Sequence, residues 1–266
     1  MFQSQILSLA LSSFLTIGTV VAGNSALPRD PARAVITSDS SDWQLTLGLY
    51  TWAAGLDGTL GAAGFTTDVD ISFSDILDSL DMAAMGMVEF NKGPWMLQIE
   101  GLYLKNSVKG VIATTPILNR TTSAKLTAET TRLEGIAGYR ILDADNTSLE
   151  LLAGVVYYNI DNTLNFYSPR AVRGVESSDD WFDPMVGLRY RQELSDNWST
   201  QIRGEVGGFG VNADLAWQAV ALLGYQLNPS STTYFGWRHA AVDYQNGGFI
   251  YDAAASGPIL GLAIRW

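Results

Sequence analysis

Apolar and polar side chains alternate along most of the chain from residue 43 onward. Between residues 43 and 49, tryptophan and leucine occupy the odd positions, whereas glutamine, threonine and glycine occupy the even ones. A period of two is typical of a β-strand, whose successive side chains point to opposite faces. Its recurrence predicts about ten strands, with eight or twelve also compatible. The predicted strands cover residues 43–50, 84–90, 95–103, 132–140, 149–158, 186–191, 201–206, 217–226, 235–238 and 260–266.

The segments between the predicted strands are of two kinds. Tight-turn sequences occupy residues 91–94, 143–146, 195–197 and 228–231. Longer or more polar segments occupy residues 55–81, 105–124, 161–180, 210–215 and 245–257. Short turns at one end and long loops at the other are typical of an outer-membrane barrel. The predicted fold class is therefore all-β, a closed antiparallel transmembrane β-barrel with short periplasmic turns and longer extracellular loops.

One segment of the first long connection has helical periodicity. Its apolar residues Phe73, Ile76, Leu77 and Leu80 would share one face of a short helix over residues 73–80. A serine at position 72 or 74 would cap its N-terminus. We expect this helix to lie over or inside the mouth of the barrel, where its apolar face needs a partner.

Aromatic residues mark one end of the predicted strands. Nine of the ten strands carry one at the periplasmic end, and all nine have the parity of the apolar face. The core of a soluble sandwich does not require one level and one parity, so the pattern favours an aromatic girdle at a lipid–water boundary. A partial second ring lies eight residues further along, or roughly 26 Å of strand. The nine residues are Trp43, Phe90, Trp95, Tyr139, Tyr190, Trp198, Tyr225, Phe235 and Trp266.

The first residues of the chain predict export. Residues 6–22 form an apolar run that ends in small residues, with Val20 and Ala22 at the −3 and −1 positions of a cleavage site. No Lys or Arg precedes the run, which departs from the usual signal, and a short membrane anchor is the alternative. The predicted organisation is a signal peptide over 1–22, a flexible leader over 23–42 and one barrel domain over 43–266, located in the cell outer membrane.

Composition excludes several classes of function. The 266-residue chain has no cysteine, which excludes disulfide scaffolds, thiolate metal sites and cysteine catalysis. Its 27 acidic and 16 basic residues give a formal net charge of −11, which argues against a nucleic-acid partner. It contains no phosphate-binding loop, zinc motif or dinucleotide fingerprint. We predict no cofactor.

The inward parity of the predicted strands carries six glutamates and seven arginines but no lysine. Arginine presents a planar fork that pairs with carboxylates in a confined space. The near balance of charge predicts ion pairs across the barrel interior and places the excess acid outside it. The predicted network comprises Glu89, Glu100, Arg132, Glu134, Arg140, Glu150, Arg189, Arg191, Glu193, Arg203, Glu205, Arg238 and Arg265.

Two functions remain open for such an interior. A barrel of few strands is filled by side chains, which favours a largely plugged lumen and a structural or surface-interaction role. The alternative is a narrow porin-like channel for small solutes or ions, whose Arg–Glu clusters would create a field across the pore. In both cases the predicted partners include outer-membrane lipid and lipopolysaccharide.

Candidate sites of chemistry are few. Barrel hydrolases resemble one another in using a histidine beside a carboxylate or serine. Here the one histidine, His239, has the outward parity, and no Asp-x-His sequence occurs. We therefore predict no enzymatic activity and place His239 among interfacial aromatic residues. Asp68, Asp70 and Asp75 are weak candidates for a metal site, and a solvated acidic loop is the alternative.

Several segments carry a resemblance that extends over nearly all of residues 43–266. They are YTWAAGLDG at 50–58, DVD at 68–70 followed by FSDIL at 73–77, VGGFG at 206–210 and GPILG at 257–261. The chain resembles a poorly characterised family of small Gram-negative outer-membrane β-barrels, with an architecture similar to small barrels of the OmpA and OmpW kind. The terminal strand ending in Trp266 resembles the signal that the barrel assembly machinery recognises. The resemblance implies a fold, a location and this partner, but no activity.

Overall fold

The computed structural model describes residues 42–62, 65–115, 120–168 and 171–266. The predicted signal peptide and nearly all of the predicted leader lie outside the described residues. Strands account for most of the described chain. The elements are β1 (Gln44–Trp52), β2 (Gly55–Ala62), β3 (Phe65–Ile71), α1 (Phe73–Asp78), β4 (Leu80–Lys92), β5 (Trp95–Thr115), β6 (Arg120–Ala144), β7 (Thr147–Ser168), β8 (Ala171–Glu193), β9 (Trp198–Gly208), β10 (Leu215–Asn228), β11 (Ser231–Asn246) and β12 (Phe249–Arg265).

Ten of these strands close into a barrel. From β4 to β12 each strand pairs with the next in an antiparallel manner, and β1 pairs with both β4 and β12. The prediction of a closed antiparallel barrel of about ten strands is confirmed. The turns that follow β4, β6, β8 and β10 are short and define what we call the short-turn end. In the first of them Gly93 has a φ of 55°, a conformation that favours glycine.

The first strand continues beyond the closed part of the barrel. β1 and β2 pair with β12 in one continuous register, since Trp52 lies opposite Ile259 and Gly55 lies opposite Ser256. β3 then folds back along β2 and forms an edge of the sheet. Residues 72–79, which include α1, connect this edge to β4. The periodicity of residues 55–81 does not predict this additional β2–β3 hairpin.

Two of the long connections are extended β-hairpins rather than loops. β5 and β6 pair as far as Thr115 and Arg120, and β7 and β8 pair as far as Ser168 and Ala171. These hairpins project from the hairpin end of the barrel, opposite the short-turn end. Polar residues occur on both faces of the projecting strands, so the period of two fades from the sequence there. The long segments were therefore predicted at the right places but with the wrong conformation.

The predicted short helix is present as α1. Ser72 caps it, because its Oγ accepts a hydrogen bond from the backbone N–H of Asp75 at 3.3 Å. The helix is tied to β5 at the hairpin end, where Asn106 Nδ2 donates to the carbonyl oxygen of Ile76 at 2.8 Å. In the part of the chain that the structure describes, no helix is long and apolar enough to cross a membrane.

The outer wall of the barrel is apolar. Leu49, Ile99 and Leu260 each expose at least 60 % of their surface, and similar residues project from every neighbouring strand. A monomeric soluble protein rarely exposes so large a continuous apolar patch. The wall has instead the outward-facing apolar band of a transmembrane barrel.

Aromatic side chains border this band at the short-turn end. The rings of Trp95 and Tyr139 meet edge to face at 4.8 Å, and Trp198 lies 4.9 Å from Tyr225 and 6.2 Å from Phe235. These contacts join neighbouring strands and so place the rings at a common level. At or next to the same ends of their strands lie Trp43, Phe90, Tyr190 and Trp266.

Candidate functional site in the barrel interior

Charged and polar side chains from nine of the ten barrel strands meet inside the barrel. Most are buried, whereas Tyr50 and Arg191 are half-buried, and most contact a partner on a strand that is not adjacent. A barrel of this size has an interior that side chains can fill. We call this set the lumen network; its members are Tyr50, Glu89, Glu100, Arg132, Glu134, Glu150, Arg189, Arg191, Arg203, Glu205, Gln218 and Arg238.

Arg189 forms the first connection across the interior. From β8, its Nη1 donates to Glu89 Oε2 on β4 at 2.6 Å, and its Nε donates to Glu150 Oε2 on β7 at 2.5 Å. Arg191 adds a contact from its Nη2 to Glu89 Oε1 at 3.1 Å. Three strands separate β4 from β8 around the wall, so the Arg189–Glu89 pair spans the bore.

Arg203 on β9 forms a second connection. Its Nη2 donates to Glu134 on β6 and, at 2.8 Å, to Glu205 Oε1 on its own strand. Arg132 donates to the other oxygen of Glu134. This glutamate is 1 % exposed and is held between two guanidinium groups.

Arg238 on β11 forms a third connection. Its Nη1 donates to Glu100 Oε1 on β5 at 2.5 Å, and its Nη2 donates to Gln218 Oε1 at 2.7 Å. Tyr50 Oη also donates to Glu100 Oε1, at 2.7 Å. The guanidinium carbon lies 4.9 Å from the ring centroid of Trp52, within the range of a cation–π contact.

The lumen network is balanced in charge. Five glutamates face five arginines, so burial leaves no net charge to be solvated. Removing ions from water is costly, and close pairing with additional hydrogen bonds offsets that cost. Some guanidinium atoms lack a hydrogen-bond partner among the described residues, namely Arg189 Nη2, Arg203 Nε and Arg238 Nε. Chemically, the arrangement links strands on opposite sides of the barrel through ion pairs.

Uncharged side chains lie beside the lumen network and on its hairpin side. Met96, Ile136 and Leu152 form a small buried apolar cluster beside it, with Leu152 further from the short-turn end than Glu150 on β7. Towards the hairpin end, the rings of Trp181 and Tyr244 stack 3.8 Å apart within a larger cluster. Buried side chains of the interior therefore extend from Arg189 to Trp181 along the strand β8.

A buried carboxylate anchors the larger cluster. Asp183 accepts a hydrogen bond from Trp181 Nε1 at 3.0 Å and another from the backbone N–H of Ala213 at 2.9 Å. The segment between β9 and β10 is therefore drawn into the hairpin end. The inward parity of Trp181 and Tyr244 was the available signal for this aromatic layer, which the predicted network does not include.

Three of the thirteen predicted network residues lie apart from the lumen network. Arg140 pairs instead with Asp143 at 3.2 Å, near the short-turn end. Arg265 is exposed, and neither it nor the half-buried Glu193 forms an ion pair with a described residue. All three lie close to strand ends, where the interior opens to solvent. Tyr50 and Gln218 were missed, and their inward parity was the available signal.

The weak metal candidates do not converge. Asp68 accepts a hydrogen bond from Thr59 Oγ1 at 2.8 Å on β2, whereas Asp75 accepts one from Ser72 Oγ at 2.6 Å in the cap of α1. Asp70 lies opposite Asp57 in the β2–β3 pairing. Among the described residues, no group of three or more side chains has the arrangement that a metal ion requires. The structure therefore does not bring these three aspartates together as ligands of one ion.

The histidine faces outward, as its parity predicts. The ring of His239 lies 4.7 Å from that of Trp217 on the neighbouring strand β10. It is thus placed beside an aromatic residue on the outer wall and away from the carboxylates of the lumen network.

Comparisons with known proteins bear on the fold. No protein-family model and no curated protein matches the chain. Among solved structures, the outer-membrane protease OmpT from Escherichia coli matches with a TM-score of 0.50 and 9 % identity, covering 86 % of this chain and 100 % of that one. The chain has the fold of an outer-membrane β-barrel. At 9 % identity, this likeness concerns the fold alone.

Two further barrels match less well. The translocator domain of the autotransporter NalP from Neisseria meningitidis has a TM-score of 0.45 at 9 % identity, with coverage of 87 % of this chain and 91 % of that one. The attachment invasion locus protein Ail of Yersinia pestis has a TM-score of 0.36 at 9 % identity, with coverage of 85 % and 100 %.

Proposed function

We propose that this chain is an integral outer-membrane protein whose lumen is closed, and that its role is structural or depends on surface interactions of its projecting hairpins. The observation that carries this proposal is the set of ion pairs across the bore, above all Arg189 with Glu89 at 2.6 Å. The buried aromatic layer around Trp181 and Tyr244, on the hairpin side of this set, supports the proposal further.

The orientation follows from the strand connections. The short-turn end faces the periplasm and the hairpin end faces the cell exterior, as in other barrels of this type. The lipid-facing wall contacts membrane lipid, and lipopolysaccharide surrounds the exposed hairpins. The barrel assembly machinery recognises the terminal strand ending in Trp266, after the signal peptide has been cleaved at Ala22.

A non-enzymatic role is part of the proposal. The position of His239 on the outer wall beside Trp217 supports it, because a hydrolytic site of this kind needs a histidine hydrogen-bonded to a carboxylate or nucleophile. A His239→Ala variant that lost a measurable hydrolase activity of the purified barrel would contradict this part.

Planar-bilayer conductance of the refolded protein tests the closed lumen. We expect no steady openings from the unmodified chain. The triple variant Arg189→Ser, Arg203→Ser, Arg238→Ser removes all three connections and is expected to conduct. Arg265→Ser is the control, because this arginine is exposed at the end of β12. Its loss should produce no channel openings.

The rival function is a narrow channel for small solutes or ions. It predicts steady openings from the unmodified chain and a change in conductance when Arg189 or Glu134 is neutralised. Heat-modifiable gel migration of each variant shows whether the barrel is folded. The absence of channel openings from an unfolded variant is then not taken as evidence of a closed lumen.

A further inference from the structure

The turn between β9 and β10 exposes apolar side chains at the hairpin end of the barrel. The pairing of these two strands ends at Gly208 and Leu215. Within the turn, Phe209 is 56 % exposed and Val211 is 62 % exposed. The neighbouring strand β8 continues with β7 well beyond the end of β9, so the rim of the barrel is lower at this turn.

The backbone of this turn is left-handed at three successive residues. The φ angle is 82° at Gly208, 53° at Phe209 and 68° at Gly210. Glycine adopts this conformation freely and asparagine tolerates it, whereas a bulky side chain is strained there. A phenyl ring exposed to water adds unfavourable hydration to that strain. A turn that faced water would therefore be more stable with glycine or asparagine at position 209.

Hydrogen bonds hold the turn in this conformation. The backbone N–H of Gly210 donates to the carbonyl oxygen of Ala213 at 3.0 Å. The backbone N–H of Ala213 in turn donates to Oδ1 of Asp183, at 2.9 Å, and both of these residues are fully buried. Since Ala213 occupies the inward side of the turn, the exposed side chains of Phe209 and Val211 do not pack in the interior.

These side chains continue the apolar outer wall. Leu215 and Trp217 follow the turn on β10, and both are exposed, as is Phe182 on β8. Asn212 Nδ2 donates to the backbone carbonyl oxygen of Phe182 at 2.6 Å, which holds the turn against this part of the wall. Leu215 lies two residues beyond Trp217, or about 7 Å along the strand. Aromatic residues such as Trp217 mark the boundary of the apolar band, so the turn lies where lipid headgroups meet acyl chains.

We propose that the β9–β10 turn inserts into the outer leaflet, where Phe209 and Val211 contact the acyl chains of the membrane lipids. Acyl chains are the partner because the turn is continuous with the lipid-facing wall. Transfer of the phenyl ring from water to hydrocarbon offsets the strain at residue 209. The turn thereby fixes one side of the rim at the membrane surface. This inference rests on the proposed orientation in the membrane and is independent of whether the lumen conducts.

Nitroxide labels measure the depth of the turn in the bilayer. The chain has no cysteine, so Val211→Cys directs a single label to the turn and leaves Phe209 in place. Electron paramagnetic resonance of the full barrel in phosphatidylethanolamine–phosphatidylglycerol vesicles compares collisions with oxygen, which enters hydrocarbon, and with a nickel chelate, which stays in water. Val172→Cys on β8 is the matched control, because this valine is also 62 % exposed but lies on a projecting hairpin. We expect the oxygen-to-nickel ratio to be several-fold higher at position 211, and equal ratios overturn the proposal.

Substitutions of Phe209 assign the insertion to its side chain. With the label at position 211, Phe209→Asn removes the ring but suits the left-handed backbone, so the turn keeps its conformation. We expect this variant to lower the oxygen-to-nickel ratio towards that of the label at position 172. Phe209→Leu retains an apolar side chain and should keep the ratio high. If Phe209→Asn left the ratio unchanged, the ring would not anchor the turn and the proposal would be rejected.

A third label distinguishes failure of this inference from failure of the proposed function. Ile99→Cys places the nitroxide on the outer wall, within the apolar band. A high ratio at position 99 together with a low ratio at position 211 would refute insertion of the turn and leave the membrane barrel intact. Low ratios at both positions would contradict the membrane location and the insertion with it. Heat-modifiable gel migration confirms that each labelled variant is folded.

Discussion

Arg189 shows how single residues hold the interior of this barrel. It is 1 % exposed and contacts Glu89 and Glu150, which lie on two different strands. A buried ion pair contributes little net stability relative to an apolar replacement, but loss of one partner leaves an uncompensated charge. The energetic importance of Arg189 is therefore greatest when its glutamates stay in place.

Replacement of Arg189 by Met is expected to lower the free energy of unfolding by about 3–5 kcal/mol, because both glutamates remain buried without their main counter-charge. Urea unfolding of the barrel in lipid vesicles measures this. Arg140→Met is the control, since its pair with Asp143 lies near the short-turn end and should contribute less than about 1 kcal/mol.

A charge-matched variant refines this prediction. Adding Glu89→Gln and Glu150→Gln to Arg189→Met removes the orphaned charges and should recover much of the lost stability. If Arg189→Met and Arg140→Met lowered the free energy of unfolding equally, the ion pairs of Arg189 would not have the importance assigned to them.

Parity predicted the inward direction of Arg189 and Glu89 but not their contact. The strands of a barrel are tilted and staggered, so residues at one level belong to different positions along each strand. The shift in level between neighbouring strands adds up around the barrel. The alternation of apolar and polar residues in the sequence does not record it. Parity also misplaced Arg265, because an inward position at a strand end is open to solvent.

The alternation in the sequence predicts the strand segments within the apolar band but not the segments that project beyond it. Within the apolar band one face must be apolar, and the period of two follows directly. In the projecting part of β5 and β6 both faces meet water, so the alternation is lost although the pairing continues. This is why the hairpins and the β2–β3 extension were expected as loops.

The projecting part of the β5–β6 hairpin has an ion pair of its own. Beyond Tyr103, Lys105 Nζ donates to Glu129 Oε1 at 2.7 Å, and Tyr103 Oη donates to Oε2 at 2.9 Å. These two hydrogen bonds lower the pKa of Glu129. Their stabilising contribution is thus present above the pKa of glutamate in the unfolded chain and lost as the pH falls through the lower folded value.

Lys105→Met is expected to raise the pKa of Glu129 towards its ordinary value, because the first of these hydrogen bonds is removed. Carbon-13 NMR of the Glu129 carboxyl group during an acid titration measures the shift. Lys109→Met provides the control, since this exposed lysine makes no ion pair with a described residue. A Glu129 pKa that is unchanged by Lys105→Met would contradict the assignment.

The whole molecule separates its charges and its apolar residues in space. The net charge is −11, yet the lumen network is neutral, so the excess acid belongs to the ends of the barrel. The apolar residues face outward between the aromatic residues at the two ends of the band. A transmembrane barrel achieves this without any long apolar run in its sequence.

Ile99→Arg tests the lipid-facing wall as a whole. Ile99 is 61 % exposed and lies midway between Trp95 and Tyr103 on β5. An arginine at this depth is expected to cost about 2–4 kcal/mol of stability, measured by unfolding in vesicles.

Val108→Arg is the matched control for this substitution. Val108 has a similar exposure of 57 % but lies beyond Tyr103, where an arginine meets water and should cost little. If the two variants were equally stable, the wall would not face lipid.

The connections across the lumen also bear on how the barrel assembles. In a flat sheet, strands β4 and β8 would lie about 19 Å apart, too far for Arg189 to reach Glu89. These groups are 100 residues apart in the chain and meet only when the sheet has curled. Until then, water must hydrate ten charged side chains. Closure of the barrel therefore replaces part of this hydration by the ion pairs of the lumen network, which cannot form before the sheet has curled.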